Sequence, residues 1–233
     1  MGKENQKAPG SRRKFLGAIT SGAAAMSLAG IFAPVKEAGA WTGTTLNGTD
    51  DEEWFKQIKG KHRIVFDSPR PHSIFPFAWP RVFLMTNEKT GTMAKDCSVV
   101  VTLRHDSIPY AMQSDLWAKY NFGEVFHADD PATGKPAIRN PFWKPANGDF
   151  KVPGIGIVNI GINELQESGV MFCVCDAAMT VNSAVVAGKM KMDAEEVKKE
   201  WMAGLLPGIK VVPSGVWAIG RAQEHGCSYC YAG

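Results

Sequence analysis

Residues Ser98-Val99-Val100-Val101-Thr102-Leu103 form a nearly unbroken β-branched run, closed by Arg104-His105-Asp106. Such a run lacks the apolar–polar alternation of a half-exposed strand. It fits a central strand of a parallel sheet, covered on both faces. Outward from it, Arg63 to Phe66 reads as a short apolar strand ending at Asp67-Ser68-Pro69. Val170 to Val174 is another, ending at Cys175-Asp176-Ala177, and Ile209 to Val212 and Cys227 to Tyr231 are two more. Helical patterns alternate with these strands. Ile74 to Glu88 carries spaced apolar residues, with Pro76 and Pro80 limiting where a helix starts. A helical stretch holds Ile108, Met112, Leu116 and Trp117, and Gly156 to Glu167 reads as another helix. Asp193 to Leu205 opens with a capping box, Asp193 with Glu196, and stops at Pro207-Gly208. Ser214 to His225 is capped by Ser214 and closed by Gly226. This alternation predicts an α/β protein, a three-layer α/β/α sandwich on a mainly parallel sheet of about five strands. Tyr120 to Pro153 is rich in Pro, Gly and Asn and long for a loop, so residues 126–153 read as an insertion.

The N-terminus precedes this domain. Ser11-Arg12-Arg13-Lys14-Phe15-Leu16, an Ala-rich apolar run and Ala38-Gly39-Ala40 make a twin-arginine export signal with a small-residue cleavage site. The run is short and rich in Gly, Ala and Ser for a membrane span, and Pro34 ends it. Residues 1–40 are read as the signal peptide, 41–62 as an N-terminal arm and 63–233 as the α/β domain. Trp41 is then the first mature residue and the location periplasmic. In the arm, Asp50 to Glu53 precede Trp54 and Phe55, an acidic start for a short helix. The leader carries six Lys and Arg against two Glu; subtracting its +4 from the whole chain's +3 leaves −1. The basic balance therefore belongs to the signal, and no nucleic-acid footprint remains. Membrane contact is expected only through the uncleaved signal.

In a parallel sheet, ligands bind outside the carboxyl ends of the strands. Asp67, His105 with Asp106, Cys175 with Asp176, and Pro213-Ser214 all fall at such ends. Cys175 also sits where a helix begins. Unpaired N–H groups and the positive end of the helix dipole stabilise a thiolate there, although Asp176 opposes it. Cys175 is the candidate nucleophile, His105 the candidate base and Asp67 its orienting partner. The structural alternatives are a buried inert thiol, a histidine bonding the backbone and a turn aspartate. Cys173 is expected on the same sheet face as Cys175, in a packing role. Cys227 and Cys230 form a Cys-x-x-Cys too close to the C-terminus to open a helix, and could join in a local disulfide. Cys173, Cys175, Cys227 and Cys230 together are a zinc-like set, tighter in spacing than usual structural sites. No phosphate loop, nucleophile elbow or haem motif is present. No cofactor and no resident metal are expected.

The stretches Gly169 to Met179 and Leu206-Pro207-Gly208-Ile209-Lys210-Val211-Val212-Pro213-Ser214-Gly215-Val216 resemble the DsrE/DsrF-like family of sulfur-relay proteins. Ala222 to Tyr229 also fits, and Val99 to Asp106 with Tyr110-Ala111 looks like the family's second strand and helix. The resemblance implies an α/β/α sandwich that forms homo-oligomers. It implies sulfane sulfur carried as a persulfide on the cysteine after the third strand, which is Cys175, and a sulfur donor or acceptor protein or small thiol as partner. The other reading is a periplasmic binding module without chemistry. Its strand-end crevice and aromatics (Trp117, Phe126, Phe142, Trp143) would hold a small ligand, a metal or a partner protein.

Overall fold

The structure is a computed structural model and describes residues 48–233. The signal sequence, its cleavage site and Trp41 lie outside the described residues. Among the described residues no helix is long and apolar enough to cross a membrane.

The core is a five-stranded sheet. Its strands are β1 (His62–Ser68), β2 (Cys97–Leu103), β7 (Val170–Cys175), β8 (Ile209–Val212) and β9 (Ser228–Tyr231). Their order is β8-β7-β2-β1-β9, and every neighbouring pair is parallel. The run read first as a central strand is the middle one. Six of its seven residues are buried, because layers cover both faces.

The strand order decides where the helices go. From β1 to β2, β7 and β8 the chain steps one way across the sheet. Right-handed crossovers then place every intervening helix on one face. These are α2 (Phe75–Lys89), α3 (Ser114–Tyr120), α4 (Phe122–Val125), α5 (Ile162–Glu167), α6 (Asp176–Met190) and α7 (Ala194–Ala203). The return from β8 to β9 runs the opposite way and puts α8 (Gly215–Glu224) on the other face. There it packs with α1 (Gly48–Phe55) through an edge-on contact of Phe55 and Trp217, 5.6 Å between centroids. Two cores result, the three-layer α/β/α sandwich expected from the sequence. A large one holds Phe77, Leu103, Phe172 and Trp201; a smaller one holds Phe55, Val65, Cys173, Ala218 and Cys227.

One local reading changes and two gain detail. The short acidic helix expected in the N-terminal arm forms as α1, with Phe55 and Ile58 buried and Asp51 paired to Lys210 of β8 at 2.8 Å. Gly156 to Glu167 is not one helix. Gly154 and Gly156 take φ of +79° and +100°, conformations glycine adopts freely, and turn the chain into a hairpin of β5 (Lys151–Val152) and β6 (Gly156–Ile157). The helix begins only at Ile162. The 126–153 stretch carries a second small hairpin, β3 (Asp129–Asp130) with β4 (Lys135–Pro136), and buries Phe126, Phe142 and Phe150 in the large core.

Candidate functional site

The connections that leave β7 and β8 go to opposite faces, α6 on one and α8 on the other. In sheets of this kind ligands bind where the strand connections diverge, beyond the carboxyl ends. Cys175 stands at that end of the sheet, in register with Val212 of β8. Ala177 N–H donates to Pro213 O at 3.2 Å, tying the two strand ends together. Cys175 is the N-cap of the fifteen-residue α6, and its Sγ accepts the Ala178 N–H at 3.3 Å. Ser214 caps α8 in the same way, its Oγ accepting the Trp217 N–H at 3.1 Å. The thiol therefore sits at the N-terminus of α6, with its orphan N–H groups and positive dipole end. Cys175 is 6% exposed.

Asp176, the residue after Cys175, is buried and paired: Lys198 of α7 sits 2.9 Å from its Oδ1 and 3.2 Å from Oδ2.

Asp67 does not orient His105. Its carboxylate is 2% exposed and held by Arg104, Nε to Oδ1 at 2.7 Å and Nη2 to Oδ2 at 2.9 Å, a bidentate fork. Tyr229 of β9 donates its hydroxyl to Oδ2 at 2.9 Å. His105 turns outward: its side chain is 69% exposed, with Nδ1 2.9 Å from Asp106 Oδ1 and backbone φ at +50°. The spacing brought these residues to one edge, but the left-handed turn at His105 leads its imidazole into solvent.

Arg104 and Tyr229 are the residues sequence reasoning missed. Arg104 follows Leu103, which pairs with Val174, so it lies beside Cys175 across the β2–β7 ladder. Its stem packs against the α8 N-terminus, where a Cβ on Gly215 would meet Arg104 Cβ at 2.5 Å. The Asp67 hydrogen bond raises the Arg104 pKa most. Burial works against this, while the charges of Asp67, Tyr229 and Cys175 add to it. For Tyr229, burial and then the bond to Asp67 push the phenol up.

Burial pushes Cys173 up to about 12 and Cys227 up to about 11, and raises Cys97 and Cys230 as well. Cys173 packs in the smaller core and donates its S–H to Thr102 Oγ1 at 3.5 Å. Cys175 instead joins the large core, because the strand alternation ends where the chain turns into α6. Cys227 lies in the smaller core, whereas Cys230, three positions on, packs against the larger one. An odd separation along a strand faces opposite sides, so these two do not approach as a disulfide. Among the described residues no group of three or more His, Cys, Asp or Glu is placed to hold a metal ion. Trp117, Phe126 and Phe142 are buried core residues, with edge-on ring contacts at Phe142 and Trp117.

No known protein family matches the sequence, and no curated protein does. Among solved structures, the chain is similar to MTH1491, a protein of unknown function from Methanobacterium thermoautotrophicum. That likeness has 19% identity and a TM-score of 0.33, over 73% of this chain and 99% of that one.

Proposed function

We propose that this chain is an exported, DsrE/DsrF-like carrier of sulfane sulfur, with Cys175 as the carrying residue. The observation that supports it best is the Cys175 sulfur accepting an N–H at the N-terminus of a long helix, at the strand ends where the connections diverge. The thiolate attacks the outer sulfur of a hydropersulfide, R–S–SH. A new Cys175 S–S bond forms, the donor S–S bond breaks, and its electron pair leaves as R–S⁻. An acceptor thiolate takes the sulfur onward by the reverse attack, so no oxidant or reductant is consumed. Arg104 lies near enough for its charge to act on the Cys175 sulfur, and Asp67 with Tyr229 holds Arg104 in position. Partners in this reading are a sulfur donor or acceptor protein or a small thiol, met by a homo-oligomer in the periplasm.

Intact-mass measurement of the exported protein tests the reading. Treatment with a small-molecule hydropersulfide is expected to add the mass of one sulfur, removable by reductant and absent in Cys175→Ser. A gain that persists in Cys175→Ser, or no gain in the wild type, ends it. The 6% exposure of Cys175 favours a second reading, a non-catalytic binding module. Under that reading the native protein retains a small ligand, a metal or a partner protein, and Cys175 stays unmodified. Export is tested separately: Arg12→Lys with Arg13→Lys is expected to leave the precursor in the cytoplasm.

A further inference from the structure

One of the cavities among the described residues lies away from the strand ends that carry Cys175. It runs along the outer face of α2, where Phe75, Trp79, Val82, Met85 and Lys89 follow one another at helical spacing. Val152, Ile155 and Val158, from the β5–β6 hairpin and the strand end beyond it, form the facing wall. The walls are almost wholly apolar, yet Trp79 is 39% exposed and Ile155 59%. Phe75 and Trp79 stack at 4.9 Å and close one end.

The two walls are fastened to each other. Arg81 of α2 donates from Nε to Asn159 O at 2.6 Å, from Nη1 to Ser168 Oγ at 3.0 Å and from Nη2 to Glu164 O at 3.2 Å. This arginine is committed to structure. Lys89, at the opposite end from the stacked rings, is then the cation at the rim among the described residues that line the groove.

Shape and charge together select an occupant. The cavity holds about 300 Å³, room for roughly ten methylene-sized groups at the ~30 Å³ a water occupies in the liquid. Phe75 to Lys89 spans about 21 Å of helix at ~1.5 Å per residue. Apolar lining residues strung along one face of a single helix suit one unbranched chain rather than a ring system. Apolar walls with a single cation at one end suit one negative charge on the end of that chain. We propose that this groove binds a free medium-chain alkyl monoanion of about ten carbons, with its tail along α2 and its carboxylate at Lys89.

Decanoate, titrated into the full chain by calorimetry and by tryptophan fluorescence, tests this. One saturable site per chain is expected, with the fluorescence response lost in Trp79→Phe while the heat remains. Val82→Asp and Ile155→Asp, exposed positions on opposite walls, should each weaken binding at least tenfold. Lys89→Gln should weaken decanoate at least threefold and leave decanol unchanged. Absence of saturable binding, or full affinity in both wall variants, overturns the proposal. So does Lys89→Gln lowering decanoate and decanol alike. A wild type that sediments as a dimer while both wall variants are monomers would assign the groove to a second copy of the chain, and also overturns it.

Discussion

Taking the guanidinium from Arg104 would leave the Asp67 carboxylate buried with one phenol hydroxyl for company. A buried charge stripped of its partner costs about 3–5 kcal/mol. Arg104 is itself 27% exposed, so water screens part of that pair, and the expectation for Arg104→Gln falls to about 2–4 kcal/mol. Tyr229→Phe removes a single hydrogen bond to an acceptor that stays paired, so about 1 kcal/mol is expected. Urea denaturation of both variants checks the ordering. A Tyr229→Phe cost equal to that of Arg104→Gln would mean the fork does not dominate. The sequence placed Asp67 at a strand end but offered no way to pair it correctly. Its partners come from β2 and β9, and β9 reaches β1 only through the return crossover. Linear order does not reveal the β9 adjacency that brings Tyr229, and it sets Arg104 and His105 side by side after β2, where only the left-handed turn at His105 decides which of the two meets Asp67. Cys175 needed no such long-range knowledge, because a strand running into a helix is a local pattern.

Helix α8 carries two glycines whose roles differ. At Gly215 an added Cβ would lie 2.5 Å from Arg104 Cβ and 2.8 Å from its Cδ; at Gly220 it would meet nothing within 4 Å. Gly215→Ala must therefore push the Arg104 stem away from Asp67, an overpacking expected to cost about 1–3 kcal/mol. Gly220→Ala gains helix propensity without a clash and should stabilise by about 0.5–1 kcal/mol. Opposite signs on one helix, read from thermal or urea unfolding, are the expected result; the same sign at both positions would contradict the close approach at Gly215. Other elements were legible for equally local reasons. Ser214 and Asp193 cap their helices where the sequence placed caps, with the Glu196 N–H donating to Asp193 Oδ1 at 3.0 Å. The 156–167 stretch misled because its isoleucines and valine satisfy a helical spacing. The positive φ values at Gly154 and Gly156 override that pattern, and the apolar side chains serve a hairpin wall instead.

At the scale of the whole molecule, the sheet divides the protein into two cores of unequal size, and the smaller holds two buried thiols, Cys173 and Cys227. This core joins α1 and α8 to the sheet. Its thiols couple it to alkaline pH. In the unfolded chain a cysteine loses its proton near 9.0, whereas burial holds Cys173 at about 12 and Cys227 at about 11. Below pH 9 both states keep the proton and stability is flat with respect to these groups. Above it the unfolded state binds fewer protons than the native one, so stability falls as pH rises. Each thiol contributes a slope of about 1.4 kcal/mol per pH unit, ending near its native value. Replacing both by alanine removes that slope at the cost of some packing at every pH. Urea midpoints from pH 8 to 11 should therefore fall more steeply in the wild type than in the Cys173→Ala, Cys227→Ala variant. The variant should start lower at pH 8 and lose its deficit as pH climbs. Parallel curves would mean the two thiols reach water in the native state, and that the α1–α8 layer does not seal the face of the sheet it covers.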